Sequence, residues 1–237
     1  MPLLVEIIGE PGVGKTHLAL TFPSPIIFDT TPKREAEVIA YKVLGADAKN
    51  RYRWVQSYQQ LVEGVKEAIT RDDVKTVIID TGADLQSMAV EYELEKKDRE
   101  RLLPIEYGRV REMIDDDIIT TVTSAGKHLV MTAQMDDEYI ENKKTGRRVP
   151  KGYKRMAFQA DMRILLVIGS AEVQVMPGGT SFAIMYKPDA NPKRKAVIIK
   201  NRFVDMAETG IQKLEGNITY NDIVSLIPEE LRKIVGA

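Results

Sequence analysis

The octet at residues 9–16 contains the residue types that bind a polyphosphate chain. It fits the pattern G-x-x-x-x-G-K-[ST], in which glycines allow successive backbone amides to face an anion at the start of a helix. The Lys15 ammonium is expected to reach the β- and γ-phosphates of a nucleotide, and the Thr16 hydroxyl is expected to ligate Mg²⁺. The predicted nucleotide-binding residues are Gly9, Glu10, Pro11, Gly12, Val13, Gly14, Lys15, Thr16 and His17.

A second candidate for the same chemistry is Asp80, which follows the apolar run 76–79. A carboxylate at the carboxyl end of a buried parallel strand can hold the Mg²⁺ ion that bridges nucleotide phosphates, directly or through water. We therefore predict a site for ATP and Mg²⁺, with Thr16 and Asp80 as the metal-binding residues. The purely structural alternatives are a glycine-rich turn with a surface lysine and an aspartate that caps the following helix.

The stretches around these residues predict alternating strands and helices, which are typical of an α/β domain. We predict strands at 3–8, 25–29, 51–55, 76–81, 128–134, 160–168 and 195–200, and a hairpin at 172–187 that turns at 177–179. Helices are predicted at 17–22, 34–44, 58–69, 83–101, 106–126, 221–226 and 228–235. The predicted fold class is a three-layer P-loop NTPase domain with a mostly parallel central sheet and a small C-terminal antiparallel hairpin.

The spacing of the motifs refines this prediction. The long interval between Lys15 and Asp80 predicts a further strand placed between the two strands that carry them. The sequence has neither an internal repeat nor a stretch typical of a flexible linker, so we predict a single domain over residues 1–237.

Composition excludes several classes of protein. The 237 residues include 34 basic and 35 acidic side chains, so any affinity for nucleic acid must come from a local patch. The chain has no cysteine, which excludes a disulfide framework and cysteine-ligated metal centres. No basic leader precedes the first apolar run, and no apolar run approaches the roughly 20 residues that span a bilayer. We therefore expect a cytoplasmic protein.

Such a local patch lies at residues 142–155, which contain seven basic residues and no acidic one. Residues 136–153 lack apolar periodicity and are predicted to form a loop. Basic side chains with nearby rings, here Tyr139, Tyr153 and Phe158, are typical of single-strand binding, although a solvated loop would have the same composition. The acidic residues that begin the loop should repel a phosphate backbone, which favours its second half. The predicted nucleic-acid-binding residues are Lys143, Lys144, Arg147, Arg148, Lys151 and Lys154.

Four blocks of the sequence resemble the RecA/RadA-like recombinase ATPases, and among them the compact, single-domain, phage-type proteins that anneal single strands. Residues 9–16 resemble the Walker A loop of that family, and residues 76–81 resemble its Walker B strand. Residues 129–134 are similar to the strand whose terminal glutamine, here Gln134, senses the γ-phosphate. Residues 196–202 resemble the strand that ends in a basic-Asn-basic triplet.

The resemblance implies a RecA-like fold and an ATPase that couples hydrolysis to single-stranded DNA binding in recombination, repair or strand annealing. It implies that Lys200 and Arg202 reach the nucleotide of the next subunit, and hence a homo-oligomer with nucleotide at the interface. It also places the DNA-binding loop directly after Gln134.

The sequence departs from the family where the general base is expected, because Thr31 occupies the position of the usual glutamate. Asp29 or Glu35 is therefore the candidate that orients the attacking water. The predicted catalytic residues are Lys15, Asp29, Glu35, Gln134, Lys200 and Arg202. The glutamate that directly follows the Walker B aspartate in AAA+ proteins is missing as well, since Thr81 follows Asp80. We expect no oligomerisation through the polymerisation segment that precedes the first strand in filament-forming relatives.

Two other functions fit the same residues. A P-loop kinase that acts on a small acceptor needs basic residues on a lid over the phosphates, and the basic segment could serve as one. A regulatory ATP-binding protein with little turnover would not need a glutamate in place of Thr31. The ATPase rate with and without single-stranded DNA distinguishes the three functions.

Overall fold

Parallel strands form the centre of the sheet, and their carboxyl ends lie at one common edge. The computed structural model describes residues 1–175, 182–187 and 191–235. The parallel strands are β1 (Leu4–Gly9), β2 (Pro25–Asp29), β3 (Tyr52–Trp54), β4 (Thr76–Asp80), β5 (His128–Ile140) and β7 (Met162–Ile168). Their order across the sheet is β3-β2-β4-β5-β1-β7. The prediction of a further strand between the two motif-bearing strands is confirmed, because β5 pairs with both β1 and β4.

The remaining strands run antiparallel to their neighbours. They are β6 (Lys143–Lys151), β8 (Ser170–Val175), β9 (Phe182–Lys187), β10 (Arg194–Asn201) and β11 (Gln212–Glu215). β10 pairs with β7 and β11 pairs with β10, whereas β6 pairs with β5 and β9, and β9 with β8. The turn predicted at 177–179 lies outside the described residues. The mostly parallel sheet with antiparallel strands towards the C-terminus is the predicted fold class.

Helices cover both faces of the sheet. They are α1 (Lys15–Ala19), α2 (Glu37–Leu44), α3 (Ala48–Arg51), α4 (Tyr58–Thr70), α5 (Gly82–Lys97), α6 (Glu106–Ile114), α7 (Thr121–Ser124), α8 (Met156–Gln159), α9 (Met206–Thr209), α10 (Tyr220–Ser225) and α11 (Glu229–Arg232). A π-helical turn at 115–120 joins α6 to α7, so the helix predicted over 106–126 is continuous. Within the described ranges no helix is long and apolar enough to cross a membrane.

Alternation along the strands divides the core into two layers. In β1, Val5 and Ile7 are fully buried on the face that carries α1 and α10. Leu4 lies on the opposite face, in the cluster formed with α4 and α6. Because both faces of the central strands are covered by helices, those strands are apolar almost throughout, as parallel strands usually are.

The segment 136–153, predicted as a loop, is for most of its length an antiparallel hairpin. β5 continues beyond the central sheet, and β6 returns beside it after a turn at Glu141 and Asn142, where φ is 50° and 62°. Beneath the hairpin, Met135 and Phe182 pack on the core residue Ile8. The prediction of a loop is wrong because it relied on apolar periodicity, whereas charged residues paired across two strands leave no such pattern.

Candidate nucleotide-binding site

The octet forms the connection between β1 and α1, at the edge where the parallel strands end. Gly14 precedes the helix with φ of 96°, a conformation that side chains other than glycine rarely adopt. At Gly9 a Cβ atom would lie 2.7 Å from the carbonyl oxygen of Leu166, so only glycine fits against β7 there. The backbone of the octet is therefore held in a curve that begins on one strand and ends at a helix N-terminus, the usual setting of an anion site.

Lys15 lies inside this curve. Its Nζ donates hydrogen bonds to the carbonyl oxygens of Gly9 and Glu10, both at 3.0 Å. Only 8% of the residue is exposed, and burial lowers the pKa of the ammonium. Three neighbouring carboxylates oppose that shift, those of Asp80, Glu10 and Glu35 in decreasing order. The ammonium is thus held by carbonyl oxygens that a phosphate group could replace.

Asp80 joins the octet to the central strands. Its Oδ2 accepts a hydrogen bond of 2.6 Å from the Thr16 hydroxyl, and its Oδ1 accepts one from the Thr132 hydroxyl of β5. The residue is 5% exposed, and burial raises the pKa of its carboxyl group. A threonine hydroxyl beside a carboxylate is the donor set that Mg²⁺ prefers when phosphates supply further oxygens, so Thr16 and Asp80 fit this ion.

Beyond the octet, a cavity of about 690 Å³ opens above the ends of β2, β4 and β5. Glu35 and Gln134 both line it, together with Thr31 and the face of α5 from Ala83 to Leu94. Lys151 lines it as well and faces Gln134 across the β5–β6 pair. The structure therefore brings Lys15, Thr16, Glu35, Asp80 and Gln134 to one edge of the sheet.

Asp29 is placed differently from Glu35. It is fully buried, and its carboxylate accepts hydrogen bonds from the Thr31 amide at 2.9 Å and the Thr31 hydroxyl at 2.6 Å. It also accepts from the Ala36 amide at 2.9 Å and the Tyr52 hydroxyl at 3.1 Å. These four bonds fix the turn that carries Glu35, whose own side chain is exposed to the cavity.

Comparison with protein-family models matches residues 1–171 to a model described as an AAA domain. The chain belongs to the AAA domain family. Domains of this family are P-loop ATPases and generally bind ATP with Mg²⁺, in agreement with the geometry around Lys15 and Asp80. Membership holds even though Thr81 stands where AAA+ proteins have a glutamate. A search of curated proteins gave no match.

Lys200 and Arg202, which follow the residues matched to the AAA domain, lie at the opposite edge of the sheet. They come at the end of β10, where Asn201 pairs with Met162, the first residue of β7. The Lys200 ammonium donates to the carbonyl oxygens of Ala157 and Phe158, at 3.3 and 2.8 Å. Arg202 forms a 2.5 Å ion pair with Asp161. Neither side chain can reach the phosphate loop of its own chain, so a role towards another subunit stays a prediction.

The basic residues of the hairpin largely face acidic partners. Lys144 pairs with Asp137 at 2.7 Å, and Arg147 pairs with Glu138 at 3.8 Å. Because β5 and β6 are antiparallel, the acidic first half of the segment lies directly beside the basic second half. Lys143, Lys151 and Lys154 have exposed side chains.

Arg148 forms the contact that sequence reasoning missed. Its guanidinium pairs with Glu10 of the phosphate loop at 2.5 Å and with Asp137 at 3.0 Å. Thr132 and Arg194 were also not predicted as site residues. Arg194 lies against the octet, since a Cβ atom at Gly14 would be 2.4 Å from its Nη1. No local motif marks these residues, because their positions depend on how distant strands pair.

The two histidines differ in burial: His128 is buried, whereas His17 is partly exposed. His17 follows the octet, and burial together with the charge of Arg194 lowers its pKa. His128 accepts a 2.9 Å hydrogen bond from the Leu3 amide at Nδ1, and burial lowers its pKa to about 4. His128 therefore serves to join β1 to β5.

Proposed function

We propose that this AAA domain is a RecA-like ATPase that couples the binding and hydrolysis of Mg-ATP to the binding of single-stranded DNA, in recombination, repair or strand annealing. The observation that carries the proposal is the ion pair between Glu10 of the phosphate loop and Arg148 of the β5–β6 hairpin, at 2.5 Å. It joins the nucleotide site directly to the segment richest in basic residues.

The proposed chemistry uses residues that already lie together. The Lys15 ammonium exchanges the carbonyl oxygens of Gly9 and Glu10 for the β- and γ-phosphates. Thr16 and Asp80 hold Mg²⁺, which neutralises charge on the phosphate oxygens when it is bound. The Gln134 amide, at the wall of the cavity, contacts the terminal phosphate.

Glu35 is the better placed of the two candidate bases. The Asp29 carboxylate already accepts four hydrogen bonds, whereas the Glu35 carboxylate lines the cavity and acts electrostatically on Lys15. We assign Glu35 to accept the proton of the attacking water. Asp29 is a positioning residue, since it holds the turn from which Glu35 projects.

Two connections support transmission of the nucleotide state to the hairpin. Gln134 is the first residue of β5 that pairs with β6, and it directly follows Ala133, the last that pairs with β1, so a shift of its backbone is passed along a continuous strand. Arg148 makes the second connection from the returning strand β6, through Glu10. Each strand of the hairpin is thus attached to a residue that a triphosphate would contact or displace.

Contacts with DNA would combine a modest electrostatic part with stacking. Lys143, Lys151 and Lys154 are exposed, and neutralising about three phosphates predicts a slope near −2 for log affinity against log salt. Tyr139 and Phe158 are 61% and 73% exposed, and rings of this kind bind bases by stacking.

The proposal includes a homo-oligomer in which Lys200 and Arg202 of one copy approach the nucleotide of the next. The Arg202 side chain is 59% exposed, although it pairs with Asp161. Mixing Arg202→Ala protein with Lys15→Ala protein tests this arrangement. Each supplies the group that the other lacks, so hydrolysis should recover at mixed interfaces, whereas no recovery would exclude a role of Arg202 in another subunit.

Reciprocal binding measurements test the coupling. A non-hydrolysable ATP analogue should tighten single-stranded DNA binding by about 5- to 150-fold, and DNA should tighten analogue binding by the same factor. The Arg148→Gln variant should reduce that factor, whereas Arg147→Gln, which removes a charge of the same hairpin, should leave it nearly intact. A factor of one for the wild-type protein would rule the coupling out.

The hydrolysis rate separates the alternatives. A rate raised by single-stranded DNA supports the proposal, and turnover that requires a small phosphate acceptor supports a kinase. The position of Thr31 favours a regulatory ATP-binding protein as the second candidate. In that case ATP should bind normally while hydrolysis stays undetectable with and without DNA.

A further inference from the structure

A second cavity, of about 480 Å³, lies beside the β5–β6 hairpin, and Gly152 lines both this cavity and the one above the strand ends. Its walls come from both strands of the β5–β6 hairpin, from the segment that follows β6, and from β1 and β7 of the central sheet. We call it the aromatic cleft. Its lining includes Tyr139, Tyr153, Phe158, Lys154, Glu6 and Arg163. The volume is within the range of about 300–1,000 Å³ that is usual for small-molecule sites.

The floor of the aromatic cleft is charged. Glu6 of β1 and Arg163 of β7 occupy facing positions in the sheet and form a 2.6 Å ion pair. Both residues are almost fully buried, at 3% and 2% exposure. The nucleotide site does not use this pair. The pair places a carboxylate and a guanidinium in the lining of the cavity.

The walls of the aromatic cleft carry aromatic rings. The acidic residues Asp137 and Glu138 also line it, and their charges are paired with those of Lys144, Arg148 and Arg147. Phe158 and Tyr139 remain 73% and 61% exposed at the mouth, although they are among the largest apolar side chains of the region. Inside, the Tyr153 ring is held by hydrogen bonds from its hydroxyl to the Arg111 carbonyl oxygen at 2.9 Å and to Asp115 at 2.6 Å. Large exposed rings beside a polar rim are typical of a binding site.

The charged floor and the aromatic walls together indicate the chemistry of the ligand. Rings that stack, a cation at the rim and a floor with a carboxylate and a guanidinium match a nucleobase attached to a phosphate chain. We propose that the aromatic cleft holds an unstacked base of single-stranded DNA, against Phe158 and Tyr139, while Lys154 contacts the adjoining phosphate. The inference rests on the proposed binding of single-stranded DNA and names where a base enters.

The test measures binding of a fluorescent single-stranded oligonucleotide to the full chain over a series of salt concentrations. Phe158→Ala should weaken binding by about 5- to 150-fold, the equivalent of about 1–3 kcal/mol for one stacked base, without changing the salt slope. Lys154→Ala should instead reduce the salt slope by about 0.7. Tyr41→Ala, which removes a ring that is 44% exposed on α2, is the matched control and should have no effect.

An abasic strand of the same length supplies a second measurement that needs no variant. It keeps the phosphates but lacks the bases, so the wild-type protein should bind it more weakly, and Phe158→Ala should no longer distinguish the two strands. Equal affinity of the wild-type protein for both strands would overturn the proposal.

The remaining outcomes separate this inference from the proposed function. If the wild-type protein binds the strand but Phe158→Ala and Tyr139→Ala bind it equally well, the aromatic cleft is not a base site and DNA binding stands. If Phe158→Ala changes self-association and leaves DNA affinity unchanged, the occupant is a second protein chain and the proposal fails. If the wild-type protein does not bind DNA at all, both proposals fail.

Discussion

The phosphate-loop site and the β5–β6 hairpin hold their charges in different ways. Around the loop, Lys15, Asp80 and Asp29 are 8%, 5% and 0% exposed, and each is bonded to another element of the central sheet. In the hairpin, Lys144 and Arg147 pair with carboxylates of the neighbouring strand while their side chains remain 57% and 44% exposed.

The difference determines what each region can do. Buried polar groups must be satisfied by defined partners, so the loop presents a fixed arrangement to its ligand. Exposed ion pairs contribute only about 0–1 kcal/mol each, so a phosphate backbone can replace them at little cost. The first region suits one well-defined polyphosphate, and the exposed pairs of the second are compatible with the DNA binding that we propose.

The largest effect should come from the loop. Lys15→Ala is expected to lower ATP affinity by about 100- to 10,000-fold, because bonds to charged groups contribute about 1.5–3 kcal/mol each and this ammonium serves two phosphates. Calorimetric titration with ATP measures it. Lys49→Ala, on α3, removes an exposed lysine far from the loop and is the control. Unchanged ATP affinity in the Lys15→Ala variant would show that Lys15 does not bind the phosphates.

The roles of Glu35 and Asp29 can be separated next. Glu35→Gln should lower the hydrolysis rate by about 100-fold, the lower end for loss of a general base, with ATP affinity nearly unchanged. Asp29→Asn should instead lower the denaturation midpoint. An asparagine side chain has an NH₂ group in place of one of the two carboxylate oxygens that accept hydrogen bonds in the buried turn. If Asp29→Asn folds normally and loses hydrolysis while Glu35→Gln retains it, the assignment is reversed.

Loss of the Asp80 carboxylate should have a smaller effect, on the gain in ATP affinity that Mg²⁺ produces. Asp80→Asn keeps the shape of the side chain but lowers its affinity for cations, so the gain in ATP affinity produced by Mg²⁺ should shrink about tenfold, near the lower limit for a charged contact. ATP titrations with Mg²⁺ and with EDTA measure that gain. A gain equal to that of the wild-type protein would show that Asp80 does not support the metal.

The smallest effect tests the link between the two regions. A double-mutant cycle of Glu10→Gln and Arg148→Gln should give a coupling of about 0.5–1 kcal/mol in urea denaturation, since both side chains are partly exposed. The pair Glu138 and Arg147, whose charged atoms are 3.8 Å apart, provides a matched cycle and should give less. A larger coupling within the hairpin would mean that the link to the loop is incidental.

The contrast between the phosphate-loop site and the hairpin also determines which residues can be predicted from the sequence. Lys15, Thr16 and Asp80 follow from local patterns, because a glycine-rich turn and a strand-end carboxylate have few other uses in that order. The positions of Glu35 and Gln134 at the same edge follow from the parallel strands that precede them. A buried, preorganised site can therefore be recognised from local patterns in the sequence.

The hairpin cannot be recognised from local sequence patterns in the same way. Its strands are charged on both sides, so their pairing is invisible to a search for apolar alternation. The contacts of Arg148 and Arg194 with the loop depend on strands that run antiparallel and meet only in the folded chain. The same reversal of β10 places Lys200 and Arg202 away from the loop, which their order in the sequence did not reveal.

The continuity of β5 has a mechanical consequence. About six residues extend past Gln134, so the strand projects about 20 Å beyond its root in the sheet. A tilt of about 10° at that root would swing the tip through about 3–4 Å, close to the spacing of about 3.4 Å between stacked bases. In the coupling that we propose, a small shift at Gln134 would therefore produce a displacement of about one nucleotide step at the tip of the hairpin.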